Sequence, residues 1–349
     1  MNASKHYLIV GAGLAGICVA WHLRKKGHQV TIVDNGQNKS SVIAAGMINP
    51  LVFRRMTKSW RVDEFLPYAN SFYSELETSF AVKFHNQITI RRIFSSAQER
   101  GFWEEKQHLP EFANYMTPIT NDDDLFYKSH NPFGTGRVKA ASVVDASNFV
   151  KSAQHYFSEQ KCILHESFDH DAFIPTQLKY KSKTYDAVVF CEGFSSKTNP
   201  LFAHLPIQQT KGETITIQCS ELKTSESLNR KCFVLPLGND LYRVGATYVW
   251  NTSEDNITDE ATKELREKFS VISDLPYAIV EQKAGIRPTT PDRRPIIGEH
   301  PELSGIFIFN GLGTKGYMSA PLLSHEFCEH LTEGALLSEE LSLARFKKG

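Results

Sequence analysis

The sequence has no excess of either charge: Lys plus Arg and Asp plus Glu each number 39. A chain without net charge at neutral pH has no general electrostatic pull on nucleic acid or on a membrane surface. It is also poor in cysteine, and no two of its six cysteines form a CxxC pair. Scattered as they are, Cys18, Cys162, Cys191, Cys219, Cys232 and Cys328 make neither a zinc site nor a thiol-redox motif. They read as reduced, buried thiols. No apolar run is long enough to span a bilayer, and the opening MNASKHYLIVGAG enters a strand without a signal-peptide core. A cytoplasmic location is the expectation. Asn2, Asn251 and Asn256 head N-x-[ST] triplets, which carry no meaning without a secretory route. Internal repeats, low-complexity tracts and Gly/Ser linkers are missing too. The acidic run Asp122, Asp123 and Asp124 reads as a solvated turn. None of the 13 histidines shows ligand spacing on a helix face, and no metal site is expected.

What is present is the composition of an ordinary globular protein, 41% hydrophobic and 22% charged, in a chain long enough for two domains. HYLIV (6–10) is a short β-branched strand, GAGLAGICVAWHLRKKG turns into a helix that stops at Gly27, and QVTIVD (29–34) is a second strand. This order predicts parallel pairing with a right-handed crossover. The periodicity then predicts helices over 62–80, 96–107, 145–159 (capped by Asp145 or Ser147), 258–270 and 317–332. Strands are expected over 84–94, 161–166, 184–194 and much of 207–250, and again in YAIVEQKAGIRP and GIFIFNG. Segments of α/β character (1–60, 140–205 and 284–349) therefore bracket two β-rich insertions (61–139 and 206–283), which are expected to fold together as a discontinuous second domain.

Gly11, Gly13 and Gly16 form G-x-G-x-x-G between the first strand and its helix. Gly11 permits the tight turn, Gly13 the close approach of a pyrophosphate, and Gly16 the packing of helix on strand. The helix N-terminus adds N–H donors and a positive dipole. Asp34 ends the second strand and can accept hydrogen bonds from both hydroxyls of an adenosine ribose. These residues say dinucleotide without separating NAD from FAD.

SSVIAAGMINP (40–50) and AGIRPTTPDRRPIIG (284–298) resemble segments of glycine oxidase, and more broadly the D-amino acid oxidase superfamily of FAD-dependent amine oxidoreductases. FCEG and GLGTKGYMSAP extend the likeness. The resemblance implies an α/β fold in which a Rossmann-type FAD-binding domain carries a discontinuous, β-sheet-rich α+β substrate domain. It implies non-covalent FAD, oxidation of an amine or amino acid by hydride transfer to flavin N5, and oxygen or another carrier as electron acceptor. It places Ser40 and Ser41 at the pyrophosphate, and Ala45, Gly46 and Met47 against the isoalloxazine ring, where small residues let a flat ring approach backbone. Gly193 falls beside the cofactor at a strand end, and Phe168 at the adenine. Gly311, Gly313, Lys315 and Gly316 open the last helix toward flavin N1 and C2=O, with Lys315 adding a positive charge there or facing solvent. Arg287, held extended by Pro288, falls at the substrate end, where the family's arginine pairs with a carboxylate. A salt bridge to Asp292 is the plain structural alternative.

Three departures qualify the likeness. Gly285 stands where some sarcosine oxidase relatives attach the flavin through a cysteine. Phe233 and Leu237 stand where glycine oxidase has a tyrosine and an arginine, which puts glycine in doubt as substrate. Arg54, Arg55 and Lys58 form either a solvated basic loop or an extra anion contact for a bulkier substrate. Two further readings compete: an FAD-dependent tRNA-modification enzyme acting on a carboxymethylaminomethyl base, and a dinucleotide-binding sensor without turnover. The lack of a basic, aromatic-interleaved face argues against nucleic acid.

Overall fold

Two sheets divide most of the strands between them. The computed structural model describes residues 3–37, 39–119 and 131–346; Asn2 and the run Asp122, Asp123 and Asp124 lie outside these. The first sheet has six strands in the order Ile296–Glu299, Ile306–Asn310, Ala187–Phe190, His6–Val10, Gln29–Val33, Ile163–Leu164. All its pairings are parallel except that of the Ile296–Glu299 edge strand. A parallel sheet must be covered on both faces, which is why its strands read as unbroken apolar runs. His6–Val10 is buried from Tyr7 onward. The helix Leu14–Lys25 is buried from Leu14 through Leu23, and it packs against the helix Gly316–Glu333. The amphipathic helix Val62–Phe80 packs on Gly316–Glu333 as well.

The expected helices form close to their predicted bounds, and their starts have local causes. Asp145, rather than Ser147, caps Ala146–Glu159 by accepting from the Asn148 N–H at 3.0 Å. Thr258 caps Asp259–Ser270 in the same way. Two strand expectations were too long. Only Ile163–Leu164 of KCILHE pairs, as a short edge strand, and TYDAVVFCEGF is split between Thr184, at the end of the strand Lys183–Thr184, and Ala187–Phe190 before a 3-10 turn at Gly193–Thr198.

The second sheet runs Val249–Trp250, Gln208–Gln218, Leu241–Gly245, Cys232–Gly238, Ser227–Arg230, His85–Ile93, Thr135–Val144, Met47–Ile48, with Ala278–Thr289 also paired to Gln208–Gln218. Residues 140 and 284, at two of the four expected divisions of the chain, lie inside strands of this sheet. Met47–Ile48 carries the 40–50 loop onto the sheet through Thr135–Val144.

Gly46 makes that junction possible. Its φ is +66°, and a Cβ there would lie 1.8 Å from the Val144 carbonyl oxygen. The Val144 N–H donates to the Gly46 carbonyl at 2.9 Å. Both conditions demand glycine. Gly46→Ala is expected to destabilise the fold by roughly 1–3 kcal/mol from backbone strain alone, measured as a shift of the urea midpoint. An unchanged midpoint would show that the loop can leave the sheet freely.

Candidate active site

Parallel strands of an open α/β sheet gather ligands beyond their carboxyl ends. A cavity of about 710 Å³ lies there, touching Val10, Val33, Cys191 and Asn310 at the strand ends of the first sheet. It continues to Thr214, Phe233, Gly285 and Arg287 on the second. A long ligand can therefore reach from one sheet to the other.

At the first-sheet end the glycines do separate jobs. Gly11 has φ +107°, and a Cβ there would come within 2.5 Å of the Cys191 carbonyl oxygen. Gly13 faces the cavity, with Ser41 Oγ 3.1 Å from where a Cβ would be. Gly16 does not line the cavity; a Cβ there would lie 1.9 Å from the Gly11 carbonyl oxygen, so it lets the helix close on its strand. Asp34 reaches the cavity while accepting from the Ala12 N–H at 2.6 Å and the Gly36 N–H at 2.7 Å. Carboxylate oxygens have lone pairs beyond these two bonds, so it can still accept from ribose hydroxyls. Phe168 lines this end and stacks on Tyr180 at 4.5 Å. Gly193, at φ +59°, also faces the cavity, its carbonyl held by the Asn310 amide at 2.8 Å. Cradle, acid and small residues fit an adenine dinucleotide.

The 40–59 segment crosses between the sheets and is fastened at several points. Ser41 Oγ accepts from the Leu14 N–H at 3.0 Å, at the start of the first helix. Ser40 donates to the Ile286 carbonyl at 2.6 Å, beside Arg287. Tyr317 donates to the Ser41 carbonyl at 2.7 Å, and Tyr73 in turn to the Tyr317 carbonyl at 2.7 Å. Ala45, Gly46 and Met47 thus line the cavity as a held loop. Gly313 and Gly316 line it too, whereas Gly311, expected among them, sits behind in a turn at φ +75° against Thr290.

Lys315 does not face solvent. Its ammonium donates to Ser59 Oγ at 2.6 Å, the Asn49 carbonyl at 2.8 Å and the Leu51 carbonyl at 3.4 Å. Three donors meet three oxygens, so the charge stands beside the cavity while the protons fasten the 49–59 segment. Arg54 and Arg55 are exposed away from the cavity lining, and Lys58 pairs with Asp63. They form the solvated basic loop, and no cavity contact of theirs is seen.

Arg287 lies in the Ala278–Thr289 strand, extended as Pro288 dictates. Its guanidinium is largely buried, and Nη1 has no hydrogen-bond partner among the described residues. Burial lowers its pKa, and only Tyr248 opposes that. Asp292 is not its partner, because that carboxylate is held by Arg345 at 2.8 Å. The guanidinium rests on Gly212, where a Cβ would come within 2.0 Å of it, and under the Tyr248 ring at 4.7 Å. A buried cation without a carboxylate, opening on a cavity, is a site for an anion.

Several lining residues escaped the sequence reading. Gly212 sits inside a strand, and an interior strand glycine is itself a sign of close approach. Tyr248 gave no such sign. Glu192 lines the first-sheet end; burial pushes its carboxyl up to about 7, although the Asn199 amide donates to it at 2.6 Å. Phe233 lines the second-sheet end of the cavity, whereas Leu237 is exposed and outside the lining. Among the described residues no cluster of side chains could hold a metal ion, and no helix is long and apolar enough to cross a membrane.

Burial pushes Lys315 down to about 8. The folded protein then releases this proton before the unfolded chain does, whose lysines titrate at roughly 10.4. Between these values the unfolded state binds more protons, so stability gains as pH rises. Relative to Lys315→Met, the wild type is expected to gain up to ~1.4 kcal/mol per pH unit above pH 8, read from urea unfolding at pH 8 and pH 9.5. A pH-independent difference would mean that the ammonium keeps its ordinary affinity for a proton.

Comparison with known proteins agrees with this geometry. The uncharacterized oxidoreductase YurR of Bacillus subtilis is 24% identical over 93% of this chain and 94% of its own length. The tRNA 5-methylaminomethyl-2-thiouridine biosynthesis bifunctional protein MnmC of Acinetobacter baylyi is 22% identical over 99% of this chain, which spans 57% of that longer protein. Among solved structures, glycine oxidase from Geobacillus kaustophilus superposes with a TM-score of 0.80 at 18% identity, covering 99% of this chain and 100% of that one. The family model for FAD dependent oxidoreductases (DAO) matches residues 6–330. With that match over nearly its whole length, and with a cavity built for an adenine dinucleotide, the chain belongs to the DAO family of FAD-dependent oxidoreductases.

Proposed function

We propose that this oxidoreductase acts on the C–N bond of a small amine that carries a carboxylate, either an amino acid or a secondary amine. The observation that carries the reading is Arg287, a buried guanidinium with an unpartnered Nη1 at the second-sheet end of the cavity. When bound, the flavin supplies the acceptor for the hydride that leaves the substrate's α-carbon. The chain's residues bind and orient. Gly11, Gly13, Asp34 and Ser41 hold the dinucleotide half, Ala45 to Met47 give the ring a flat wall, and Arg287 takes the carboxylate through two parallel N–H bonds.

The carboxylates and the imidazole of the cavity lining, Asp34, Glu166, Glu192 and His170, belong to the first-sheet end. The second-sheet end is lined by Gly212, Thr214, Phe233, Ala246 and Tyr248 instead. Among the described residues this wall carries no carboxylate or imidazole to act as base, which suits an amine that arrives neutral and a protein whose work is positioning. Phe233 leaves room for an apolar substituent rather than a second polar contact. Reoxidation by oxygen is distinguished from use of another carrier by peroxide release in air.

A charge-assisted pair is worth roughly 1.5–3 kcal/mol. Arg287→Met is therefore expected to lower kcat/KM about 10- to 100-fold for an amino acid, with flavin retained, and Arg287→Lys to lose less. Gly212→Ala is expected to act in the same direction, because its methyl falls on the guanidinium while the arginine itself remains. The decarboxylated amine should be indifferent to all three. Equal losses on both substrates would sink the carboxylate role.

The FAD is expected to be non-covalent. Gly285 offers no thiol, and burial holds the thiol of the cavity-lining Cys191 well above the range in which it ionises. Acid precipitation should leave the yellow colour in the supernatant; a yellow pellet would show attachment.

A second reading rests on the MnmC relative: the same site would receive a modified base instead of a free amine. The balanced charge of this chain argues against it. Flow-through on heparin at low salt is expected, whereas retention would favour tRNA.

A further inference from the structure

Tyr248, Val249, Trp250 and Ile257 are unusual among the large apolar residues, each about half exposed within one short segment. That segment is fastened at both ends to one buried acid. Glu213, 1% exposed, accepts from the Thr258 N–H and from Thr258 Oγ1, each at 2.9 Å. It also accepts from the Gln282 amide at 2.9 Å and pairs with Lys211 at 3.1 Å. At the other end the Thr247 N–H donates to the Glu213 carbonyl at 3.1 Å, and Thr247 Oγ1 accepts from the Glu213 N–H at 2.9 Å. The loop thus leaves and returns beside Gly212, the residue on which Arg287 lies. Exposed aromatic residues on so firm a base are not explained by folding.

The register says where they stand. Trp250 pairs with Thr210, and Thr210 pairs with Arg287. Directly opposed residues project from the same face of a sheet, so Trp250 and Arg287 share one. Tyr248 lies between them, 4.7 Å from the Arg287 guanidinium and 5.8 Å from the Trp250 ring. Gly212 and the Tyr248 ring both lie against the guanidinium. Its Nη1, buried and without a partner among the described residues, is left for a carboxylate.

We propose that Tyr248 and Trp250 form a second subsite, which takes a planar apolar ring carried by the substrate while Arg287 holds its carboxylate. Tyr248 sets the plane in which the carboxylate must lie. Trp250 receives the substituent that emerges past Tyr248. The preferred substrate is thus an aromatic amino acid, or an amine with a ring a few bonds from the carboxylate, rather than glycine. This rests on the carboxylate-binding role of Arg287.

The test uses the FAD-loaded protein and ligands that cannot be oxidised. Acetate and indole-3-acetate are titrated, and their dissociation constants are read from the flavin absorbance. Indole-3-acetate is expected to bind about tenfold or more tightly than acetate, in line with stacking on two rings. Trp250→Ala should abolish most of that preference and leave acetate unchanged. Tyr248→Leu should weaken both ligands several-fold, because the guanidinium loses its aromatic cover, while Tyr248→Phe should restore them. Both residues are half exposed, so the variants should keep their fold and flavin. Equal binding of the two ligands, or a preference that survives Trp250→Ala, overturns the subsite while leaving Arg287 in place. A change only in oligomeric state on Trp250→Ala, seen by sedimentation, would make the segment a contact with a second copy and also overturns it. If Arg287→Met alters neither affinity, the carboxylate role fails first and the subsite falls with it.

Discussion

The constraint on which the second-sheet end of the cavity depends is a guanidinium taken out of water without a carboxylate to meet it. Such a group is costly, and a chain selected only for stability would pair it or leave it exposed. Here neighbouring acids are kept occupied elsewhere. Asp292 is bound to Arg345, and Glu213 is saturated by Lys211, Thr258 and Gln282. Gly212 and the Tyr248 ring then lie against the Arg287 guanidinium. The charge is isolated by construction, which is what a binding group for an anionic substrate requires.

That arrangement is useful only if the cofactor's ring reaches it, and the 40–59 segment makes the connection. It begins at the first helix through Ser41, touches the Arg287 strand through Ser40, joins the second sheet at Gly46, and ends on the Lys315 ammonium. Tyr317 and Lys315 belong to the start of the last helix, and both bind this segment. The last helix, the dinucleotide turn and the Arg287 strand are therefore positioned by one piece of chain. A small shift of it would be felt at every part of the cavity, since packed interiors transmit displacement rather than absorb it.

Much of the first-sheet end was legible beforehand. Gly11, Gly13, Gly16 and Asp34 act within one strand–helix–strand unit, and the backbone angles they require are properties of those residues. Their places follow from contiguity, and so does the extended backbone of Arg287 before Pro288. The helix cap at Asp145 was equally local. In KCILHE and TYDAVVFCEGF, whose local signals favour longer strands, strand length is set by the neighbouring strand available to pair.

The sequence by itself determined a dinucleotide turn, the order of helices and strands, and an arginine unable to join a helix. Each follows from the stereochemistry of a few adjacent residues. Tertiary structure alone decided what that arginine and Lys315 would meet. Lys315 finds its oxygens more than 250 positions away, and Arg287 finds Gly212 and Tyr248 through a strand pairing. Long-range partners carry no local mark, because a side chain's need for a partner can be read in its chemistry, but the partner's identity depends on how two sheets come together.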